Sequence, residues 1–267
     1  MAVVALHSAA TGLNALNTRL DVIANNLANV NTSGFKASRA NFQDLIYQEK
    51  ALPGVENANS DERPTGLYVG LGVKVSGTQV RFDEGAPLAT NNDLDLMITG
   101  RGFFQVATED TIGIGGVAYT RAGNFAVNSD GEIVLANDNG RRLEPGISVP
   151  ADADHIQITN TGEVWAHVPG QANQQIGNIE LAAFINPAGL KQVGENLFVE
   201  TDASGPPIAG EPNQDGLGGL LQGFLEGSNV DPTFELINLI RTQRAFEMNS
   251  NVIRAADETL RAVAQLR

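Results

Sequence analysis

The sequence predicts an α+β fold, with long N- and C-terminal helices paired as a coiled coil and a mainly antiparallel β domain between them. Apolar residues recur at helical spacing at both ends of the 267-residue chain and alternate with polar residues in the middle. Glycine separates the same regions: of 29 glycines, only Gly12 precedes Gly34, and none lies in residues 228–267. Because glycine disfavours helix interiors, the two ends are predicted to be helical.

The N-terminal helix is predicted from an apolar heptad repeat. Leucines recur every seven residues, and a second apolar residue follows each of them by three, which is the spacing of a coiled-coil seam. The seam residues are Leu6, Ala9, Leu13, Leu16, Leu20, Ile23, Leu27 and Val30. Residues 31–34, which are polar and end in glycine, are predicted to stop the helix.

The C-terminal helix is predicted to start at Asp231 and Pro232, because a side-chain acceptor followed by proline is typical of a helix N-terminus. A second heptad repeat follows and predicts a helix of about 34 residues, near 50 Å in length. Its apolar residues are Leu239, Ala245, Phe246, Val252, Ile253, Ala256, Leu260 and Val263. Asn249 also falls at a seam position, where a polar side chain would set the register of the helices; surface exposure is the alternative.

Short strands are predicted between the helices, where apolar and polar residues alternate. The alternating residues are Val73 and Val75, Val80 and Phe82, Leu94, Leu96 and Ile98, Ile133 and Leu135, and Val164, Ala166 and Val168. Hairpin turns are predicted at Gly131, Gly140 and Gly162, each of which follows Asp, Asn or Thr. Residues 48–66 and 202–219 carry proline or glycine without periodicity and are predicted as exposed loops or linkers.

These patterns divide the chain into three predicted parts. Residues 1–36 with 225–267 form a terminal helical domain, residues 37–80 an extended connector, and residues 81–224 an acidic β domain. The chain has 17 basic and 31 acidic side chains, a net charge of −14. Because no basic stripe offsets this charge, nucleic acid is not expected as a partner.

Composition excludes several further classes of protein. The chain has no cysteine, which excludes thiol catalysis, disulfides and cysteine-ligated zinc. Its apolar runs are all shorter than the roughly 18 residues of a membrane span. Residues 1–10 lack a basic n-region, so a cleaved secretory signal is not expected.

Candidate metal ligands cluster at Asp152, Asp154 and His155, with His167 as a further candidate. A metal site needs three or four converging ligands. Solvated loop residues after Pro150 explain the same cluster, and no metal site is predicted.

Asp93 and Asp95 flank Leu94 and are therefore predicted on one face of a strand, at the spacing of a catalytic carboxylate pair. The outward face of a half-buried strand explains them better, so no catalytic residue is predicted. Residues 112–116 are rich in glycine but lack the spacing of a dinucleotide-binding loop and the Lys-Ser/Thr of a phosphate-binding loop. No cofactor is therefore expected.

Aromatic residues could form a carbohydrate-binding groove at Trp165, Tyr119, Phe103 and Phe104. Adjacent aromatic residues in a β domain more often form its core, and this is the prediction. No small-molecule substrate is expected.

The two heptad seams are predicted to pair with each other, because such a stripe is shaped to pack against another helix. The predicted assembly interface consists of Leu6, Leu13, Leu16, Leu20, Ile23, Leu27, Val30, Leu239, Phe246, Asn249, Ile253, Ala256, Leu260 and Val263. A single pair leaves apolar residues uncovered on the outer faces: Leu236, Ile240, Val22 and Ala24. Helices from neighbouring copies would cover them. A contact of this heterologous kind propagates into a helical tube.

Residues 24–36 read ANNLANVNTSGFK and closely resemble the N-terminal signature of bacterial flagellar rod and hook proteins. The signature residues are Asn25, Asn26, Leu27, Asn29, Asn31, Thr32, Gly34 and Phe35. Other segments resemble the distal-rod members of this family, so that the resemblance covers almost the whole chain; they are residues 66–73, 100–106, 119–125, 195–197, 228–230 and 242–247.

The resemblance implies a structural subunit, not an enzyme, which polymerises into a straight hollow drive shaft in the periplasm-spanning rod of the flagellar basal body. The implied partners are further copies of the chain, proximal rod proteins, the hook protein or its junction, the ring proteins that act as a bushing, and the flagellar export apparatus. Export through that apparatus implies no cleaved signal peptide. The alternatives are another rod or hook family member, such as a proximal rod protein, and a secreted β-domain binding protein or hydrolase.

Overall fold

The computed structural model describes residues 2–54, 64–109, 112–170 and 172–265. It has the predicted α+β class, with α1 (Ala2–Ala28) and α2 (Pro232–Gln265) at the two ends of the chain and strands between them. Within these described residues, no helix is long and apolar enough to cross a membrane.

Twenty strands lie between the two helices. In chain order they are β1 (Ser38–Asp44), β2 (Tyr47–Ala51), β3 (Leu67–Gly70), β4 (Val73–Val80), β5 (Pro87–Ala89), β6 (Leu96–Thr99), β7 (Phe103–Ala107), β8 (Val117–Thr120), β9 (Phe125–Val127), β10 (Ile133–Leu135), β11 (Leu143–Glu144), β12 (His155–Ile158), β13 (Glu163–His167), β14 (Gln174–Asn178), β15 (Leu181–Ala183), β16 (Lys191–Gly194), β17 (Leu197–Val199), β18 (Ile208–Gly210), β19 (Gly219–Gln222) and β20 (Phe224–Glu226). These twenty are counted over the described ranges only.

The chain divides into two compact units. The helical unit comprises Met1–Ala28, Ser38–Gln79 and Asp231–Arg267. The β unit comprises Asn29–Ala37 and Val80–Val230. Each unit is therefore built from segments that are far apart in the sequence.

In the helical unit, α1 and α2 contact each other, and two strand pairs, β1 with β4 and β2 with β3, complete the unit. The first turn of α2 is capped as predicted: Oδ1 of Asp231 accepts hydrogen bonds from the N–H groups of Thr233 (2.9 Å) and Phe234 (3.1 Å). Next to β4, the N–H of Val73 donates to Oγ1 of Thr11 in α1 (3.3 Å).

The prediction of a loop over residues 48–66 is wrong in part. Residues 48–51 belong to β2, which pairs antiparallel with β3 in a register that places Tyr47 opposite Gly70 and Glu49 opposite Tyr68. Residues 55–63 lie outside the described residues. Residues 202–219 also contain a strand, β18, within the predicted loop. Strand β2 pairs with β3 and β18 pairs with β15, in each case across a long connection. The local pattern of apolar residues does not predict such pairing.

The β unit is built on antiparallel pairs. Its largest sheet has seven strands, in the order β16-β17-β8-β7-β15-β18 with β11 also paired to β7. Strands β12, β13 and β14 form a second sheet, and β9–β10, β6–β19 and β5–β20 form pairs. The predicted hairpin turns are present at Gly131 (φ 81°), Gly140 (φ 54°) and Gly162 (φ 92°), where the positive φ favours glycine.

One core cluster of the β unit is aromatic. The rings of Phe82, Phe103, Phe184, Phe198 and Tyr119 meet edge to face, with centroids 4.8 to 6.0 Å apart. Phe104 belongs to a separate, mostly aliphatic cluster of the same unit, where its ring meets that of Phe125 edge to face. The prediction that Phe103, Phe104 and Tyr119 serve the core is therefore confirmed.

Tyr119 predicts how this core responds to alkali. Burial, and secondarily the charge of Glu200, raises the pKa of Tyr119 to about 12. Above pH 10 the unfolded chain loses this proton and the folded chain keeps it, so stability present below pH 10 is lost as pH rises towards 12. We expect the free energy of unfolding to fall by at most about 3 kcal/mol over this range from Tyr119 alone.

Urea unfolding of the parent and of Tyr119→Phe between pH 9 and pH 12 measures this effect. Phe keeps the ring and removes the titrating hydroxyl, so the variant is expected to lose this part of the alkaline destabilisation. An identical pH dependence in both proteins would show that Tyr119 does not cause it.

Candidate assembly interface

Most residues of the predicted α1 seam are buried or half-buried. Ile23 is buried, and Leu6, Leu13, Leu16, Leu20 and Leu27 are half-buried. Val30 does not belong to the seam, because α1 ends at Ala28 and Val30 lies in the following turn, in the β unit. The heptad repeat continued for two residues past the point where the backbone leaves the helix.

The predicted seam of α2 is inward over most of its length. Ala256 is buried, whereas Leu239, Phe246, Asn249 and Ile253 are half-buried. Leu260 is exposed. Val263 lies in α2, but its side chain lies outside the described residues.

Asn249 lies against α1. A Cβ atom placed on Gly12 would be 3.1 Å from Nδ2 of Asn249, so the glycine leaves just enough space for the amide. The sequence analysis did not single out Thr242, which is 2% exposed and whose Oγ1 donates to the carbonyl of Asn238 (2.7 Å). Its spacing, three after Leu239 and four before Phe246, is the signal that could have identified it.

The other side of α2 exposes a set of large apolar side chains. We call it the α2 apolar face; its members are between 42% and 63% exposed and are Phe234, Leu236, Ile237, Ile240, Met248 and Val252. Leu236 and Ile240 were predicted to be uncovered, and this is confirmed. Ala24 of α1 is also exposed, whereas Val22 is half-buried. A contiguous set of exposed apolar side chains usually marks a binding surface.

The first part of the signature lies inside the helical unit. Asn26 is 1% exposed; its Nδ2 donates to the carbonyl of Ser38 (2.8 Å) and to Oε1 of Glu235 (3.1 Å), and its Oδ1 accepts from the N–H of Ser38 (3.0 Å). This side chain ties the end of α1 to the start of β1 and to α2. Its neighbours differ, with Asn25 exposed and Leu27 half-buried.

The second part of the signature forms a tight segment in the β unit. Oγ1 of Thr32 donates to Oδ1 of Asn29 (3.2 Å). Asn31 is exposed, and Phe35 is half-buried. Gly34 is buried at φ 71°, and its N–H donates to the backbone carbonyl of Glu226 (2.7 Å).

Lys36, at the end of the signature, enters a buried group of charges in the β unit. Its Nζ lies 2.5 Å from Oε1 of Glu226, and Nη1 of Arg121 lies 3.4 Å from Oε2 of the same carboxylate. Burial lowers the pKa of Lys36 and of Arg121, and the charge of Glu226 opposes this lowering in both. The sequence analysis missed this group, because nothing local pairs residues 190 positions apart.

The described residues form a groove in each unit. In the helical unit, a mainly apolar groove of about 540 Å³ is lined by α1, α2 and the β2–β3 hairpin, including Ala5, Val69 and Ala256. In the β unit, a polar groove of about 440 Å³ includes Thr32 and Glu195. Hydrogen bonds from Arg141 and then Asn139 lower the pKa of the Glu195 carboxyl.

The candidate carboxylates and metal ligands do not converge. Asp93 lies in a turn, whereas Asp95 directly precedes β6 and forms an isolated antiparallel bridge with Asn124, so their predicted place on one strand face is wrong. Asp95 is buried and accepts from Nδ2 of Asn92 (3.2 Å), whereas Asp93 pairs with His155. His167 lies opposite His155 in the β12–β13 register. Among the described residues, no three His, Asp or Glu side chains come together as a metal site.

The remaining candidates are Trp165 and the two carboxylates before β12, Asp152 and Asp154. Nε1 of Trp165 donates to Oε2 of Glu163 (3.2 Å), and the ring is half-buried. Asp152 and Asp154 are exposed in the turn before β12. Neither group lines the two grooves described above.

Three family descriptions match this sequence, and together they reach from one end of the chain to the other. Residues 6–36 match "Flagella basal body rod protein". Residues 97–166 match "Flagellar hook protein FlgE/F/G D1 domain". Residues 221–266 match "Flagellar basal body rod FlgEFG protein C-terminal".

Curated relatives match over nearly their whole length. The flagellar basal-body rod protein FlgG of Agrobacterium fabrum is 45% identical over 263 residues, which are 98% of both chains. FlgG of Caulobacter vibrioides is 44% identical over 265 residues, 98% of this chain and 99% of the relative. FlgG of Bacillus subtilis is 37% identical over 270 residues, 98% of both chains.

Proposed function

Because this chain belongs to the family of flagellar basal-body rod proteins, we propose that the α2 apolar face is the surface through which its copies bind one another in the rod. The chain is a structural subunit of the flagellar distal rod. A rod subunit functions by packing against neighbouring subunits. The surface that binds those neighbours has to be present on the folded subunit.

One observation carries the proposal. The α2 apolar face keeps large apolar side chains about half in water, although the inward side of the same helix packs against α1. Covering such side chains is favourable by about 25 cal/mol for each Å² removed from water. In a polymer every subunit gains this contribution, and a helix from the next copy has the right shape to provide the cover.

We propose further that α1 and α2 of one chain pair as a coiled coil whose register is set by Asn249 against Gly12. The close approach at Gly12 supports this, because a larger residue there would displace the amide. In this proposal the paired helices are the assembly domain, and the resulting tube is straight and hollow.

The position of the distal rod in the flagellum also suggests specific partner proteins. We propose that the tube joins proximal rod proteins to the hook or its junction, turns within ring proteins, and is supplied by the flagellar export apparatus. The chain acts by packing and not by catalysis.

Methionine oxidation tests the interface. Met248 is 63% exposed in the α2 apolar face, whereas Met97 is 1% exposed in the core of the β unit. We expect dilute peroxide to convert Met248 to its sulfoxide in monomers and to spare it in polymer sedimented from concentrated solution, because neighbouring copies cover it.

Met97 serves as the internal control, since it is expected to be spared in both states. Mass spectrometry of the two peptides measures the extent of oxidation. Oxidation of Met248 at equal rates in monomer and polymer would rule out the α2 apolar face as the contact between copies.

A further inference from the structure

The buried charges of the β unit converge on Glu226. Its Oε1 accepts from Nζ of Lys36 and from the N–H of Gly85 (2.9 Å), and its Oε2 faces Nη1 of Arg121 (3.4 Å). Nζ of Lys36 also donates to the carbonyl of Asp83 (2.7 Å). The side chains of Lys36 and Glu226 are both fully buried, so water cannot replace either partner.

The charges of the group come from three distant parts of the chain. Lys36 belongs to the segment that follows α1, Arg121 follows β8, and Glu226 ends β20, shortly before α2. Two cations share the carboxylate of Glu226, and Glu84 acts on both as a second negative charge. Removal of Glu226 would therefore leave two buried cations with too little negative charge between them.

Hydrogen bonds to the side chain of Asn229 hold residues 33–37 against the residues after Glu226. The N–H of Ala37 donates to Oδ1 of Asn229 (2.7 Å), and Nδ2 of Asn229 donates to the carbonyl of Arg81 (2.8 Å). The N–H of Arg81 donates to the carbonyl of Ala37 (2.8 Å). Residues 33–37 are thus held by hydrogen bonds to other segments of the β unit.

We propose that residues 33–37 of the signature form an intramolecular latch, in which Lys36 closes onto the Glu226 carboxylate that it shares with Arg121 and selects one arrangement of the segments that lead to α1 and α2. Residues 33–37 then act within one subunit and are not a surface for another copy.

The chemistry of the latch explains why it uses charge. An apolar side chain at position 36 would fit several places in an apolar interior, whereas a buried ammonium is tolerated only where a carboxylate meets it. A shifted segment would bury Lys36 without a partner, which is strongly unfavourable. The ion pair therefore specifies the position of the segment more than it adds stability.

Amide exchange in dilute monomer tests the latch, because contacts between copies are absent there. For Glu226→Gln we expect exchange at the amides of Ala37 and Arg81 to accelerate about a hundredfold, since the two remaining cations repel and open the segment. For Lys36→Met we expect only about a tenfold acceleration, because Arg121 and Gly85 still satisfy Glu226.

The double variant Lys36→Met/Glu226→Gln separates a charge site from simple packing. In the double variant the cation of Lys36 is also removed, so exchange is expected to be slower than in Glu226→Gln. Two independent packing losses would not produce this coupling. Glu132→Gln is the control: it also removes an arginine-paired carboxylate of the β unit, the partner of Arg142, and should leave exchange in residues 33–37 unchanged.

Three results would overturn the latch. Unchanged exchange in the monomer of Lys36→Met is the first, and it decides the matter even where Glu226→Gln does not fold. A double variant that exchanges faster than Glu226→Gln is the second. The third is loss of polymerisation in these variants with monomer exchange unaltered, which would place residues 33–37 at a contact between copies.

Discussion

Gly34→Ala is expected to destabilise the β unit by about 3 kcal/mol or more. A Cβ atom at Gly34 would lie 2.6 Å from the backbone N of Ala122 and 2.8 Å from the carbonyl carbon of Arg121. Because both contacts are with backbone, no rotamer change relieves them. The φ of 71° adds strain for any residue other than glycine. Urea unfolding followed by tryptophan fluorescence measures the loss, since Trp165 belongs to this unit.

Gly205→Ala is the matched control for Gly34→Ala. Gly205 lies in the same unit at φ 75°, and a Cβ atom there meets no atom within 4 Å. The control therefore carries the backbone strain alone, which costs about 1–2 kcal/mol. Equal losses in the two variants would show that the close approach of Gly34 to residues 121 and 122 contributes nothing.

Ile240→Asp is expected to abolish polymerisation while the monomer stays folded. The side chain is half exposed in the monomer, so a carboxylate there remains hydrated and helicity by circular dichroism should not change. In the polymer the same carboxylate would be buried without a partner, which costs several kcal/mol for every subunit added. Loss of helicity in the monomer would show that Ile240 stabilises the subunit itself.

The helices were predictable because their signals are local. Heptad spacing extends through both helices, and Asp231 with Pro232 marks the start of α2 by side-chain chemistry that acts within one turn. Val30 shows the limit of this reasoning: it continues the heptad spacing, but the backbone has already left α1. The heptad spacing of apolar residues therefore does not show at which residue a helix ends.

Contacts between distant parts of the chain were not predictable. Strand β2 has mostly exposed side chains, so no alternation reveals it, and it exists because β3 pairs with it. Asp95 is buried where it pairs with Asn124 in an isolated β-bridge, a contact with a separate segment of the chain. Lys36 is a polar residue in a polar signature, and only the position of Glu226 in the fold explains its burial.

Some residues of the candidate interface could also be predicted from local spacing, and others could not. The exposure of Leu236 and Ile240 could be predicted, because one helix pair cannot cover all faces of an apolar helix. The inward position of Thr242 could have been predicted from spacing alone. The interior role of Asn26 could not, because its partners Ser38 and Glu235 come from separate segments.

The lowest concentration at which polymer sediments is the most direct measure of contacts between copies. We expect this concentration to rise at least about a hundredfold in Ile240→Asp relative to the parent, from an added cost near 3 kcal/mol per subunit. Gln243→Glu adds the same charge one turn away at an exposed polar position and should polymerise close to the parent concentration. Straight tubes from Ile240→Asp at the parent concentration would contradict assembly through the α2 apolar face.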